Sequence, residues 1–167
     1  MANRNKAFIG LGSNLRDPTC QLQTAIKTLA MDPNLVIEKI SSFYANPPLG
    51  SMEQPDFVNA VIKIKTNLLP EDLLRVLQKI EKNQYRERLV HWGPRTLDLD
   101  LLLFNNEIIQ NSILTIPHPG LTMRSFVIYP LLEIEENLIL PNGIALKNYQ
   151  LQVNNNLTKL TQEFTHL

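Results

Sequence analysis

Two aspartates in a run of leucines constrain this chain more than any other feature. The run is Thr96-Leu97-Asp98-Leu99-Asp100-Leu101-Leu102-Leu103-Phe104, and it reads as a strand. Side chains two apart on a strand share a face. One face carries Leu97, Leu99, Leu101 and Leu103, which is a core face. The other carries Thr96, Asp98 and Asp100, then Leu102 and Phe104. The two carboxylates therefore stand side by side, with Cα atoms about 7 Å apart. Asp is depleted in strands and like charges on one face repel. One reading is a pair of solvated carboxylates at a strand start, balanced by Arg95. The sharper reading is a divalent-cation site. Two carboxylates with no Cys or His beside them suit a hard ion such as Mg²⁺, which keeps waters and shares substrate phosphates.

The chain around this strand has the makings of one globular domain. Its 167 residues are 44% apolar, enough for a sizeable core. The expected extent is a single domain over 1–167, with 155–167 a loosely ordered tail. Lys and Arg equal Asp and Glu at 16 each, a balance that speaks against a general nucleic-acid binder. Cys20 is the only cysteine, so neither an internal disulfide nor a cysteine zinc site is expected. The first apolar strand is too short for a signal-peptide core or a membrane span, so a cytoplasmic protein is expected.

Periodicity orders the elements. Lys6–Gly12 reads as a first strand, with a tight turn at Gly12-Ser13-Asn14. Asp17-Pro18 is a helix start, with Pro at the first helical position. Leu22, Ala25, Ile26 and Leu29 then follow helical spacing. Leu35–Tyr44 reads as a second strand. Residues 46–56 hold three prolines and a glycine and form a loop. Phe57–Thr66 alternates as a third strand with one wet face. A second helix starts at Pro70, with Leu73, Leu74, Val76, Leu77 and Ile80 on its buried stripe. The Asp strand follows, and Asn105-Asn106 signals a hairpin that pairs Glu107–Ile109 back onto it. Strand, helix, strand, strand, helix, strand is the ferredoxin-like split-βαβ order, an α+β fold with an antiparallel sheet and both helices on one face. C-terminal additions come after it: a short strand at 113–116, a helix over 121–133 around Pro130, and an edge strand at 137–142.

Several other residues are candidates for chemistry. Gly10-Leu11-Gly12-Ser13-Asn14 lacks both the third glycine of a dinucleotide fingerprint and the Lys of a P-loop, so it reads as a turn. Arg86, Arg88, Arg95 and Arg124 suit bidentate contact with phosphate, although Arg86 or Arg88 alone reads as a surface charge. His118, fixed between prolines, either donates to a phosphate oxygen or caps its own turn. Trp92 belongs to the core or covers a flat ligand. Phe57 and Asn59 share a strand face, which suits a flat heterocycle or simple packing. Gln78 and Glu81, taken alone, read as a solvated helix face.

Six stretches, in order, resemble one family, the 6-hydroxymethyl-7,8-dihydropterin pyrophosphokinases of folate biosynthesis. They are Gly12-Ser13-Asn14-Leu15; Ser42-Phe43-Tyr44 leading into Pro47-Pro48-Leu49-Gly50; Gln54 to Ala60; Arg86-Glu87-Arg88; Trp92-Gly93-Pro94-Arg95-Thr96-Leu97-Asp98-Leu99-Asp100; and Pro117-His118 with Arg124 and Phe126. The Trp-Gly-Pro-Arg-x-x-Asp-x-Asp run is the specific one. The resemblance implies transfer of pyrophosphate from ATP to the pterin hydroxymethyl group, leaving AMP. It implies a pair of Mg²⁺ ions on Asp98 and Asp100, with Arg86 and Arg95 also in the catalytic set. It places Asn46, Pro47, Pro48, Leu49, Phe57, Asn59, Trp92 and Phe126 around the pterin. Around ATP it places Gln78, Glu81, Arg88, Trp92, Arg95, Thr115, His118 and Arg124. It also implies mobile loops at 13–17, 46–56 and 83–93, and a monomer that engages neither nucleic acid nor membrane. Asn46, Tyr85 and Pro119 stand where the family often has Thr, Gly and Tyr. Two other readings of the residues are an RRM-like binding module, which the lack of an aromatic-rich RNP1 strand speaks against, and a metal-dependent phosphohydrolase built on the same Asp pair.

Overall fold

The computed structural model describes residues 5–15, 17–47, 56–85 and 97–161. The chain runs β1 (Asn5–Ser13), α1 (Pro18–Ala30), β2 (Leu35–Ile40), β3 (Tyr44–Asn46), β4 (Phe57–Thr66), α2 (Pro70–Tyr85) and β5 (Asp98–Phe104). It continues through β6 (Ile109–Gln110), β7 (Thr115–Ile116), α3 (Ser125–Ile134), α4 (Leu146–Gln150) and β8 (Thr158–Lys159). The main sheet is antiparallel, in the order β5-β1-β4-β3-β8, and β2 also pairs with β4. This is the α+β, split-βαβ arrangement that the element order predicts.

Local sequence explains where the elements begin. Asp17 adopts φ 56° and accepts from the Cys20 N–H at 3.3 Å, while Pro18 fills the first helical turn, where its missing N–H costs nothing. Leu22, Ala25, Ile26 and Leu29 of α1 pack with Leu73, Leu77 and Ile80 of α2 against one sheet face. That face is built from Ala7, Ile9 and Leu11 of β1 and from Val58, Ala60, Ile62 and Ile64 of β4.

α1 and α2 share one face as expected, and the C-terminal additions cover the opposite one. Val127, Ile128, Leu131 and Leu132 of α3 and Leu146 of α4 pack on Phe8, Val61 and Leu102. The wet face expected for β4 is therefore dry at Val61, which is fully buried. Alternation marked both faces of the strand correctly, but it carried no sign that a later helix would cover the second.

Five further expectations are corrected. β1 continues through Ser13, paired with Val58, so Gly12-Ser13 is strand and not turn. The predicted strand 35–44 breaks at Ser41, whose Oγ accepts the Val61 N–H at 2.9 Å in place of a ladder carbonyl. That side-chain substitution lets the chain leave the sheet and re-enter as β3. Asn105 turns the chain at φ 49°, yet Ile109–Gln110 pairs with Thr115–Ile116 and not with β5. The Asn111 side chain organises that second hairpin by accepting from the N–H groups of Ile113 and Leu114. In the stretch 137–142 only an isolated bridge, Ile139 to Ala145, forms. Finally, Thr158–Lys159 of the expected loose tail pairs as β8 with Tyr44 and Ala45, along an edge of β3 that among the described residues no other strand covers.

Within β5 the register slips. Ala7 pairs Phe104 and Phe8 pairs Leu103, but Ile9 pairs Leu101, so Leu102 is an extra residue in the β1–β5 ladder. Past this bulge the faces swap: Phe104 joins the α1–α2 core and Leu103 the α3 core, the reverse of strict alternation. The Leu102 carbonyl instead accepts the His118 N–H at 3.0 Å, which draws the 117–120 turn against the strand.

Leu77 is fully buried between α2 and the sheet. Leu77→Ala is expected to cost about 2–5 kcal/mol of unfolding free energy, read as a lower urea midpoint at unchanged slope.

Candidate active site

Strand register brings the site together. Gly12 stands between Asp98 of β5 and Asn59 of β4, and Asn59 in turn pairs with Tyr44 of β3. One step along, Gly10 lies opposite Asp100. The paired carboxylates thus face strand positions with no side chain, which leaves open space over the sheet. A Cβ on Gly12 would come within 2.7 Å of Asn59 Oδ1. Sequence reasoning missed both glycines. The available signal was their i, i+2 spacing, the same period that puts Asp98 and Asp100 on one face.

The space is a cavity of about 340 Å³ between the sheet and the start of α3. Gly10, Gly12, Asn59, Asp98 and Asp100 form its floor; Asn46 and Phe57 stand on one side, and Arg124, Phe126 and Val127 on the other. Its size fits a small-molecule site, and its lining mixes two aromatic rings, an amide pair and two acids.

The amide pair has a defined orientation. Asn46 Nδ2 donates to the Pro47 carbonyl at 3.3 Å, so its Oδ1 faces Asn59 and accepts from Asn59 Nδ2. Both residues are almost fully buried. Asn59 Oδ1 is left on the Gly12 side of the pair, an acceptor suited to the N–H edge of a heterocycle. The Arg124 guanidinium lies over the Phe126 ring, 5.7 Å from its centroid. Gly120 makes room for it: a Cβ there would sit 2.5 Å from Arg124 Nε.

His118 approaches Asp100 with Nε2 at 4.0 Å from Oδ2. Its Nδ1 accepts the Gly120 N–H at 3.0 Å, which leaves the neutral ring's proton on Nε2. Burial pushes the His118 pKa below its ordinary value, Asp100 pulls it back up, and Arg124 adds to the lowering. The ring is therefore neutral at pH 7. Glu81 of α2 accepts the Leu99 N–H at 2.8 Å, so it ties down the backbone between the two aspartates.

The remaining expected residues are placed as follows. Gln78 is exposed on α2 and Thr115 is half-buried on β7; neither lines the cavity. Pro47 is exposed at the end of β3. Pro48, Leu49, Arg86, Arg88, Trp92 and Arg95 lie outside the described residues, as do most of the loops 46–56 and 83–93.

The donor set fits a hard cation. Among the described residues no group of three or more His, Cys, Asp or Glu converges. Two carboxylates with open space above them leave the rest of an oxygen shell to ligand phosphates and water, which is the mode Mg²⁺ favours.

A family model described as 7,8-dihydro-6-hydroxymethylpterin-pyrophosphokinase (HPPK) matches residues 8–136. The chain is 55% identical over 137 residues to the 2-amino-4-hydroxy-6-hydroxymethyldihydropteridine pyrophosphokinase of Haemophilus influenzae, spanning 82% of this chain and 86% of that relative. It is 44% identical over 138 residues to the Pseudomonas aeruginosa protein of the same name, spanning 83% and 85%. Among solved structures, Plasmodium falciparum HPPK-DHPS with pterin and p-hydroxybenzoate superposes with a TM-score of 0.72 at 14% identity, over 95% of this chain. The chain spans 47% of that longer protein, and the likeness is one of fold.

Gly12→Ala is expected to lower unfolding free energy by about 1–3 kcal/mol, because the buried Asn59 amide it displaces loses its partner. It is expected to break the Asn46–Asn59 amide pair, seen in NMR as faster solvent exchange of the Asn59 side-chain NH₂.

Proposed function

The chain belongs to the 7,8-dihydro-6-hydroxymethylpterin-pyrophosphokinase family, and from that membership we propose that its cavity takes the pterin while Asp98 and Asp100 face the phosphates of ATP. The reaction transfers the pyrophosphoryl group of ATP to the hydroxymethyl group of 6-hydroxymethyl-7,8-dihydropterin in folate biosynthesis, with ATP as co-substrate and AMP as the second product. The observation that carries the site assignment is the single cavity wall-to-wall from Phe57 and Phe126 to the Asp98–Asp100 pair. A flat bicycle between the two rings points its substituent toward the acids. Asn59 Oδ1 accepts from the ring's N–H edge, and Asn46 holds that amide in register.

The hydroxymethyl oxygen attacks the β-phosphorus, and the bond from that phosphorus to the α–β bridging oxygen breaks. Charge gathers on the β-phosphoryl oxygens and on the departing AMP. Asp98 and Asp100 would hold Mg²⁺ here, and the ion pair would supply charge neutralisation across the triphosphate. The two carboxylates would act on the phosphates only through a cation held between them, and Arg124, stacked on Phe126, adds positive charge at the cavity rim. Neutral His118, with its proton on Nε2, donates toward a phosphate oxygen beside Asp100. Arg86 and Arg95 neutralise charge as it shifts, a role that rests on the resemblance of their motifs. Loss of the hydroxyl proton is assisted by Asp100, whose carboxylate is 42% exposed, or by the ion that it would hold. Residual rate comes from alignment and water exclusion.

We also read the protein as a monomer that works without nucleic acid or membrane, in the cytoplasm. Among the described residues no helix is long and apolar enough to cross a membrane.

Incubation with ATP, Mg²⁺ and the reduced pterin is expected to yield AMP only when pterin is present. Phosphate release without pterin would indicate a hydrolase instead, and binding without turnover a non-enzymatic module. Asp100→Asn is expected to lower kcat by at least about 100-fold while the pterin Kd stays within about threefold. Near-normal turnover at saturating ATP and Mg²⁺ would remove Asp100 from the proton-transfer role.

A further inference from the structure

One hydrogen-bonded polar cluster, partly open to solvent, lies outside the reacting centre. Glu133, near the end of α3, accepts from the Ser42 N–H at 2.9 Å, the Ser42 hydroxyl at 2.6 Å and the Tyr44 hydroxyl at 2.7 Å. Lys159 of β8 adds its ammonium at 3.5 Å. One carboxylate thus ties together α3, the break between β2 and β3, β3 itself and the added strand β8. The family match ends at residue 136, so the Lys159 contact comes from a part of the chain outside it.

The placement of this cluster relates it to the cavity. Tyr44 pairs across the sheet with Asn59, and Asn46 pairs with Phe57. Tyr44 and Asn46 are two apart on β3 and so share the cavity face. On the other wall, Phe126 and Glu133 are seven apart on α3, a spacing that returns to the same helix face about 10 Å further on. The pocket's two sides, Asn46–Phe57 on the strands and Phe126 on the helix, therefore meet behind the pocket at Glu133.

We propose that Glu133 is a positioning residue that sets the gap between β3–β4 and α3, and through it the fit of the flat heterocycle. The proposal rests on reading the cavity as the pterin site. The cluster is built for a fixed charge. Burial opposes ionisation of Glu133, but the hydrogen bonds from Ser42 and Tyr44, with the Lys159 charge, outweigh it and hold the carboxyl below its ordinary range. Burial, and then the hydrogen bond to Glu133, push the Tyr44 phenol well above its ordinary value, so it stays a donor. A carboxylate that is ionised at neutral pH and meets three directed donors holds one geometry, where an apolar contact would let the helix slide.

The test compares Glu133→Ala and Tyr44→Phe with Thr66→Val. Thr66, which is fully buried, makes a hydrogen-bonded clamp at the far end of β4: its Oγ1 donates to the Asn34 carbonyl at 2.7 Å and accepts the Leu68 N–H at 3.0 Å. Pterin and ATP affinities are measured by titration, and kcat and both KM values by AMP formation. The expected results are a rise in pterin Kd and KM of about tenfold for Glu133→Ala and about threefold for Tyr44→Phe, with ATP constants and kcat within about twofold. Thr66→Val is expected to lower thermal stability and leave both substrates' constants unchanged. The double variant should be no worse than Glu133→Ala, because both break one network. If Glu133→Ala does not fold, Tyr44→Phe decides. Pterin constants within twofold of wild type in the folded variants overturn the proposal, as does an equal loss for ATP. Wild-type protein that fails to bind pterin overturns the reading of the pocket and the clamp with it. Wild-type binding with unchanged variants overturns the clamp alone.

Discussion

Two like charges on adjacent same-face positions of one strand set the terms for the rest of the molecule. Asp98 and Asp100 repel, so β5 needs anchoring that does not depend on them. Leu97, Leu99 and Leu101 supply it on the buried face, and Glu81 secures the Leu99 N–H. β1 pairs along the strand but presents glycines opposite the acids, so pairing does not bury them. The outcome is a rigid, apolar-backed platform with its charge pointing into open space. Such a platform keeps the acids poised before any ligand arrives, so little has to be reorganised when one binds.

Much of this was readable because strand periodicity is local. The faces of β4, the helical stripes of α1 and α2, and the shared face of Asp98 and Asp100 all follow from spacing alone. Of the candidate residues in the described segments, Asp98, Asp100, Phe57, Asn59, Asn46, Arg124 and Phe126 line one cavity, while Pro47, Gln78, Glu81, Thr115 and His118 lie outside its lining. What escaped was non-local. The bulge at Leu102 depends on a turn sixteen residues on that takes its carbonyl. The break at Ser41 depends on a hydroxyl replacing a ladder carbonyl, and β8 on an edge left by β3, far earlier in the chain. Gly10 and Gly12 read as a turn because glycine usually marks one; here their use is the absence of a side chain.

The second helical layer is where fold and site become one. α3 fills the core with Ile128, Leu131 and Leu132, and the same helix carries Phe126 at its start and Glu133 at its end. A helix bound so firmly to the sheet cannot swing as a lid. The cavity wall that Phe126 forms is thus backed by the hydrophobic interior behind it.

The pairing of β8 has a consequence for synthesis. β1 finds its neighbours only when β4 and then β5 have been made, and the outer edge of β3 stays bare until residues 158 and 159 emerge. On the ribosome a chain that has made β3 but not β8 thus presents, among the described residues, an unpaired row of backbone groups next to the cavity wall. Pairing of β8 closes that row, so the nascent protein is most prone to stick to its neighbours between the making of β3 and the emergence of residues 158 and 159.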